Sequence, residues 1–270
     1  MNISPDFMII GAQKAGTTAL HEYLSKHPSI QATQKKELHF FDCDKEFKRG
    51  YKYYQSFFQP INQKLMFDSS AGYLESSRSA SRIYAYNPRS QIIILLRNPV
   101  ERAYSAWNMY QRYYSINRNW FDEWNSFCGN SDLTIYRRQD DHLFDFFQYV
   151  RDEIKFLDSS EPTAILEAAI LNHGNYYKQI QGYLSFFDKN QILIIESDEM
   201  KFNTVNTMQK IESFLNIPSH NWIKENTNPI FEGEYSEPMN KTAKRLLYDY
   251  YSSSNEQLFR LLGKRYNWEC

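Results

Sequence analysis

Apolar residues occur in two alternating patterns along the chain. Phe7 to Ile10 is a short unbroken apolar run that reads as a buried parallel strand. Leu20, Tyr23, Leu24 and His27 follow at helical spacing, and Pro28 marks the end of that helix. Further apolar runs at 65–67, 91–96 and 191–195 predict strands, and amphipathic segments at 76–86, 99–113 and 176–187 predict helices. Strands alternating with helices imply an α/β fold with a central parallel sheet flanked by helices. From 110 to 172 no strand pattern is visible. Aromatic and charged residues cluster there, as in "NWFDEWNSF" and "HLFDFFQYVRDEIKFL", which predicts a helical insertion. No internal repeat, low-complexity stretch or Gly/Ser linker interrupts the pattern. A single domain over 1–270, with that insertion, is the expectation.

Composition narrows the function classes. Hydrophobic residues make up 42% and charged residues 23% of 270, as in a globular protein. The net charge is −1 with a calculated isoelectric point near 6.6, which argues against a dedicated nucleic-acid binder. Aromatics reach 17%, which fits either an aromatic-rich core or ring stacking in a cleft. Cys43, Cys128 and Cys270 are widely spaced and form no C-x-x-C pair, so neither a zinc site nor a disulfide framework is expected and a reducing compartment fits. No run of about 18 apolar residues exists, so no membrane span is expected. With Met1 as the natural start, the first strand begins too early for a signal peptide, and a cytoplasmic location is expected.

The candidate chemistry begins at "FMIIGAQKAGTTALHEYLSKHP". A nucleoside-triphosphate loop reads G-x-x-x-x-G-K-[ST]. Gly11 and Gly16 have that separation, but Thr17 fills the lysine slot, Thr18 the hydroxyl slot, and the lysine lies inside the loop as Lys14. A glycine-bearing turn between strand and helix aims backbone N–H groups and the positive helix end at one spot, which favours an anion. In "QIIILLRNPVERAYSAWNMY", Arg97 follows the end of a strand, and Arg102 and Ser105 lie on the next helix. A nucleotide kinase would carry a magnesium-binding Asp at such a strand end. Arginine cannot hold a metal, but its planar fork suits a phosphate. Two strand ends therefore present anion sites, and a nucleotide with phosphate groups at both ends of its ribose fits them.

These segments resemble the successive motifs of the sulfotransferases that use 3′-phosphoadenosine 5′-phosphosulfate (PAPS). The resemblance rests on "GAQKAGTTAL", "KKELHFFD" and "IILLRNPVERAYSAW", supported by "FDSSAGYL", "GNYYKQIQGYLSFFDKNQILIIESDEM" and "LLYDYYSSSNEQLFRLLGKRYNW". It covers most of the chain apart from the helical middle, and it is strongest for the carbohydrate branch, including the heparan sulfate sulfotransferases and their bacterial relatives. It implies a P-loop-like nucleotide site in which Gly11, Lys14, Ala15, Gly16, Thr17 and Thr18 cradle the 5′-phosphosulfate. Arg97 and Ser105 would hold the 3′-phosphate. Lys14 would stabilise the departing nucleotide, 3′,5′-adenosine bisphosphate (PAP), with no metal required.

On the acceptor side, the resemblance makes Glu37 the base that deprotonates the attacking hydroxyl or amine, with His39 orienting the acceptor or serving as base itself. The alternative is that Glu37 pairs with Lys35 or Lys36 while His39 packs among Phe40 and Phe41. Asp68, Ser69 and Tyr73 are expected to line the acceptor cleft, with His173, Gly174 and Tyr176 as weaker candidates. Lys35, Lys36, Arg137 and Arg138 are candidates for a local basic patch facing a glycan. One departure concerns the K-G-R loop that covers the nucleotide in relatives. Here Glu232 and Glu234 flank Gly233 in "FEGEYSEPMNKTAKR", so either this loop sits elsewhere or Lys241, Lys244 or Arg245 replaces the missing cations. The expected activity is sulfuryl transfer from PAPS to a small-molecule or glycan acceptor. A phosphoryl-transferring kinase and a silent nucleotide- or glycan-binding module are the other readings.

Overall fold

The computed structural model describes residues 3–61, 63–129, 134–138, 143–159, 164–222, 235 and 237–268. The chain divides into two compact units: residues 1–97 with 179–232, and residues 98–178 with 233–270.

The first unit is built on β1 (Phe7–Gly11), α1 (Thr17–Lys26), β2 (Ile30–Ala32), α2 (Asp44–Phe47), α3 (Tyr51–Gln55), β3 (Leu65–Ser69), α4 (Ser79–Tyr86) and β4 (Gln91–Leu96). The strands expected at 7–10, 65–67 and 91–96 are present, and every residue of β1 is buried. All the pairings in this sheet are parallel, in the order β2-β3-β1-β4 followed by a fifth strand at 192–196. β1 lies between β3 and β4; the chain places β2 at the edge, then β3 between it and β1, before crossing to the other side. The loops after β1, β3 and β4 therefore leave the same edge of the sheet beside this reversal, where open α/β sheets place their ligands. The three-residue β2 at the sheet edge escapes the sequence pattern, because Ile-Gln-Ala contains no apolar run. The β1–β4 register slips by one residue between Ile9 and Gly11, just where the strand gives way to the loop.

The second unit begins with α5 (Pro99–Ile116), α6 (Trp120–Cys128), β5 (Thr134–Tyr136), α7 (Phe146–Asp158) and β6 (Ala164–Leu166), and α8 (Tyr176–Leu184) starts within it. Asn98 caps α5 by accepting a bond from the Val100 amide at 3.0 Å, and Pro99 occupies the first helical position. The segment expected to be wholly helical also contains a strand pair: β5 and β6 form a parallel two-stranded sheet. Each has three residues, too short for an alternating pattern to emerge from the flanking helical one.

The chain then supplies β7 (Ile192–Glu196), α9 (Ser197–Phe202) and α10 (Thr204–Leu215) to the first unit, and α11 (Lys241–Leu262) to the second. β7 completes the five-stranded sheet as the neighbour of β4. Tyr104, Tyr110, Tyr114, Phe121, Phe146, Tyr149 and Tyr251 pack in one apolar cluster of the second unit. Much of the aromatic content is thus core. Arg138 is also interior: its side chain and that of Glu153 are fully buried and paired at 3.2 Å, while Arg137 pairs with Asp122 and Glu167. Arg138 is therefore unavailable to the surface basic patch expected from the sequence, whereas Arg137 stays about half exposed. Among the described residues no helix is long and apolar enough to cross a membrane.

Candidate active site

The loop after β1 is shaped by two glycines. Gly11 has φ +153°, and a side chain there would lie 2.6 Å from Leu74 Cβ and 3.0 Å from the Ala71 carbonyl oxygen. Gly16 has φ +97° and precedes α1, whose N-terminus receives no side-chain cap and carries no acidic residue in its first turn. The N–H groups that open a helix lack intrahelical partners, so this uncapped end is equipped for an anion. Lys14, half-buried with φ +66°, lies within the turn. Ala15 is buried, Thr17 is buried and Thr18 half-buried at the helix start. Arg97, just past β4, donates from Nη1 to the Lys14 carbonyl oxygen at 3.3 Å, which ties the second anion-binding candidate to the first loop.

The turn after β3 is strapped onto β1. The Ser70 amide donates to the Ile9 carbonyl at 3.1 Å, and the Leu74 amide to the Ile10 carbonyl at 2.8 Å. Ala71 lies between the loop and the expected base. Its carbonyl faces Gly11, and its N–H donates to Glu37 Oε2 at 2.8 Å. Glu37 Oε1 accepts from Lys36 Nζ at 2.5 Å, so the lysine pairing foreseen as the alternative does occur. His39 Nε2 lies 3.8 Å from Glu37 Oε2, and its Nδ1 meets Asp42 Oδ2 at 2.8 Å. Burial alone would lower the His39 pKa. The hydrogen bond and charge of Asp42, with the charges of Glu37 and Asp68, outweigh burial and raise it. The imidazole is thus held between two carboxylates and biased toward its cationic form. Asp42 ends the "KKELHFFD" motif three residues after His39. That spacing was its only signal in the sequence.

Asp68, Ser69 and Tyr73 are all fully buried. Asp68 accepts from Ser70 Oγ at Oδ1 (3.0 Å) and from Tyr54 and Tyr73 hydroxyls at Oδ2 (2.9 and 2.7 Å). All three side chains expected to line the acceptor cleft are thus interior in the structure, with Asp68 and Tyr73 bonded to each other. His21, one turn into α1, is a further neighbour that the sequence did not single out. Its ring packs 5.0 Å from Phe67, and burial, then the charge of Lys36, lowers its pKa against the opposing charges of Glu22 and Glu37.

Ser105, His173 and Tyr176 belong to the second unit. Ser105 is buried on α5, and His173 lies in a short 3-10 turn, Asn172–Gly174. Tyr176 is buried with its ring 5.9 Å from that of Trp268. Lys241, Lys244 and Arg245 lie in the first turns of α11. Glu232, Gly233 and Glu234 lie outside the described residues, as does Cys270.

The sulfotransferase domain family matches this chain over residues 4–264. The chain belongs to the sulfotransferase family. Among its relatives, human bifunctional heparan sulfate N-deacetylase/N-sulfotransferase 2 is 30% identical over 223 residues, which cover 79% of this chain and 22% of that protein. The membrane-associated sulfotransferase kil1 of Dictyostelium discoideum is 25% identical over 325 residues, covering 98% of this chain and 66% of that protein. This sulfotransferase therefore spans less than two thirds of the length of either relative. A crystal structure of a sulfotransferase from Alicyclobacillus acidocaldarius matches it with a TM-score of 0.68 and 25% identity over 98% of both chains. The sulfotransferase domain of the curacin biosynthetic pathway shares the fold, with a TM-score of 0.51 at 13% identity. Family membership sets aside the kinase reading of the loop, and the heparan sulfate relative lies in the carbohydrate branch to which the motifs pointed.

Proposed function

We propose that this sulfotransferase moves a sulfuryl group from PAPS to a hydroxyl or amine of a carbohydrate, with Glu37 as the base. The observation that supports this most is Ala71, which borders the anion loop through its carbonyl and holds Glu37 through its N–H. An anion site and a carboxylate are thereby fixed on adjacent strand ends of one sheet.

The residues present suit the nucleotide. The uncapped start of α1, the hydroxyls of Thr17 and Thr18 and the ammonium of Lys14 form a donor set for the 5′-phosphosulfate. Arg97 is assigned to the 3′-phosphate, and Ser105 joins it on the strength of the sequence motif alone. PAPS, when bound, supplies a sulfuryl group that is already activated and departs from PAP on transfer. Lys14 places a cation where negative charge grows on the departing side. Glu37 takes the acceptor proton on its carboxylate. His39, held by Asp42, orients the acceptor beside it. The heparan sulfate relative suggests an amino sugar or its neighbouring hydroxyls as the acceptor class.

The test is PAP release from PAPS in the presence of N-deacetylated heparosan oligosaccharides or neutral oligosaccharides, each with and without EDTA. Transfer that persists in EDTA is expected. Tight PAP binding with no turnover on any acceptor would instead identify a silent nucleotide-binding module.

A further inference from the structure

The Glu37 segment adopts an unfavourable backbone. Glu37 and His39 have φ +56° and +52°, in the left-handed region that residues with side chains enter at a cost. Such conformations persist only where surrounding groups over-determine them. Here those groups are hydroxyls. Ser70 Oγ accepts from the Leu38 amide at 3.0 Å and the His39 amide at 3.4 Å, and the Tyr73 hydroxyl accepts from the Phe40 amide at 3.2 Å. Each hydroxyl has a single proton, and both Ser70 and Tyr73 give theirs to Asp68. An ionised carboxylate only accepts, so it turns both hydroxyl protons toward itself and leaves their lone pairs facing the three amides.

We infer that Asp68 is a positioning residue that holds Glu37 and His39 in their working geometry by fixing the direction of the Ser70 and Tyr73 hydroxyl bonds. The inference rests on the proposed reading of Glu37 as base. Asp68 is fully buried. The groups facing it are Tyr54 from α3, Ser70 and Tyr73 from the turn after β3, and the charges of Glu37 and His39. Burial raises its pKa to about 6 against the lowering effect of those three hydroxyls, so it remains mostly ionised at neutral pH. An asparagine of the same shape would present an amide donor to at least one hydroxyl. That hydroxyl would then turn its proton toward a backbone N–H that needs an acceptor.

The experiment is residue-resolved amide exchange on the whole chain, with PAP affinity and kcat alongside. In Asp68→Asn, exchange at Leu38, His39 and Phe40 should rise at least tenfold while amides of β1 and β4 hold their protection. PAP affinity should stay within twofold, and kcat on the oligosaccharide acceptor should fall at least tenfold with little change in KM. Two milder variants resolve the network if Asp68→Asn folds poorly. Ser70→Ala should expose Leu38 and His39 but leave Phe40 protected, and Tyr73→Phe should do the reverse. Unchanged exchange at 38–40, or a rise spread evenly over the sheet, overturns the inference. Glu37→Gln, assayed in parallel, keeps the two readings apart. If it retains activity, the base assignment fails regardless of Asp68. If it is inactive while Asp68→Asn turns over normally, the base stands and the positioning role falls.

Discussion

At the residue scale, the site is a set of charges whose geometry is fixed by neighbours from distant parts of the chain. Lys14 lies inside the loop, and its carbonyl is gripped by Arg97. Under the proposed reading its ammonium meets charge that develops during transfer more than it holds product. Lys14→Ala should lower kcat by roughly 10²–10³-fold, the loss seen when a transition-state donor is removed. PAP affinity, measured by calorimetry, should fall much less, and a parallel fall of both would make Lys14 a plain binding group. Glu37→Gln keeps the shape and the Ala71 contact while removing basicity. Transfer should be nearly abolished, nucleotide binding should be unchanged, and the acidic limb of the kcat/KM profile should disappear. His39→Ala should retain measurable activity with weaker acceptor binding. An inactive His39→Ala beside an active Glu37→Gln would move the base to the histidine.

At the scale of the element, the first strand–loop–helix tolerates change unequally at its two glycines. Both have positive φ, but only at Gly11 does an added methyl meet backbone and side chain at 2.6–3.0 Å; at Gly16 the nearest atoms are 3.8 Å away. Gly16→Ala should therefore cost about 1–2 kcal/mol of stability from left-handed strain alone. Gly11→Ala should cost more, because Leu74 and Ala71 must also move. Urea denaturation of both variants checks the order, and a milder Gly11→Ala would contradict the packing described for that turn. The same element, with Arg97, predicts ligand selectivity. PAP should raise the melting temperature well beyond 5′-AMP at equal concentration, and Arg97→Ala should narrow the gap. Equal shifts for the two ligands in the unaltered protein would argue against any 3′-phosphate site.

At the scale of the whole molecule, acid stability follows from buried groups of opposite sign. His27 is buried. Its Nδ1 accepts the Ser29 amide at 3.0 Å, and its Nε2 faces the Pro218 carbonyl at 3.1 Å, a pattern that requires neutral imidazole. Burial lowers its pKa, as it does for His21. A histidine whose folded pKa lies below its unfolded value of about 6.5 favours folding above that pH, and the benefit is lost as pH falls through the folded pKa. Asp68 has the reverse sign: raised from 3.8 to about 6, its contribution is full below 3.8 and is lost as pH rises through 6. His21 and His27 should therefore lower the urea midpoint on acidification from pH 7 to 5, and Asp68 and His39, whose pKa values are raised, should oppose that fall. His27→Gln should flatten the pH dependence, and Asp68→Asn should steepen it between pH 6 and 4. A pH dependence that His27→Gln leaves unchanged would remove His27 from this account.

The sequence by itself determined the parts whose signal is local. The strands at 7–10 and 91–96, the loop between Gly11 and Thr18, and the Asn98-Pro99 helix start are all read from contiguous residues, because apolar runs, glycine turns and caps act over a few positions. The family motifs are legible for the same reason. What only the tertiary structure decided depends on partners far apart in the chain. Ala71 reaches Glu37 across 34 positions and Ser70 reaches Leu38 across 32. Asp68, which its motif assigns to the acceptor cleft, is fully buried against the hydroxyls of Tyr54, Ser70 and Tyr73. Arg138 is drawn into the core by Glu153, 15 residues away, although its sequence context reads as surface. The strands β2, β5 and β6 have three residues each and are strands only because a parallel neighbour completes their hydrogen bonds. Local pattern fixes which segments form the elements, and desolvation fixes which charged side chains must find distant partners once those elements close on one another.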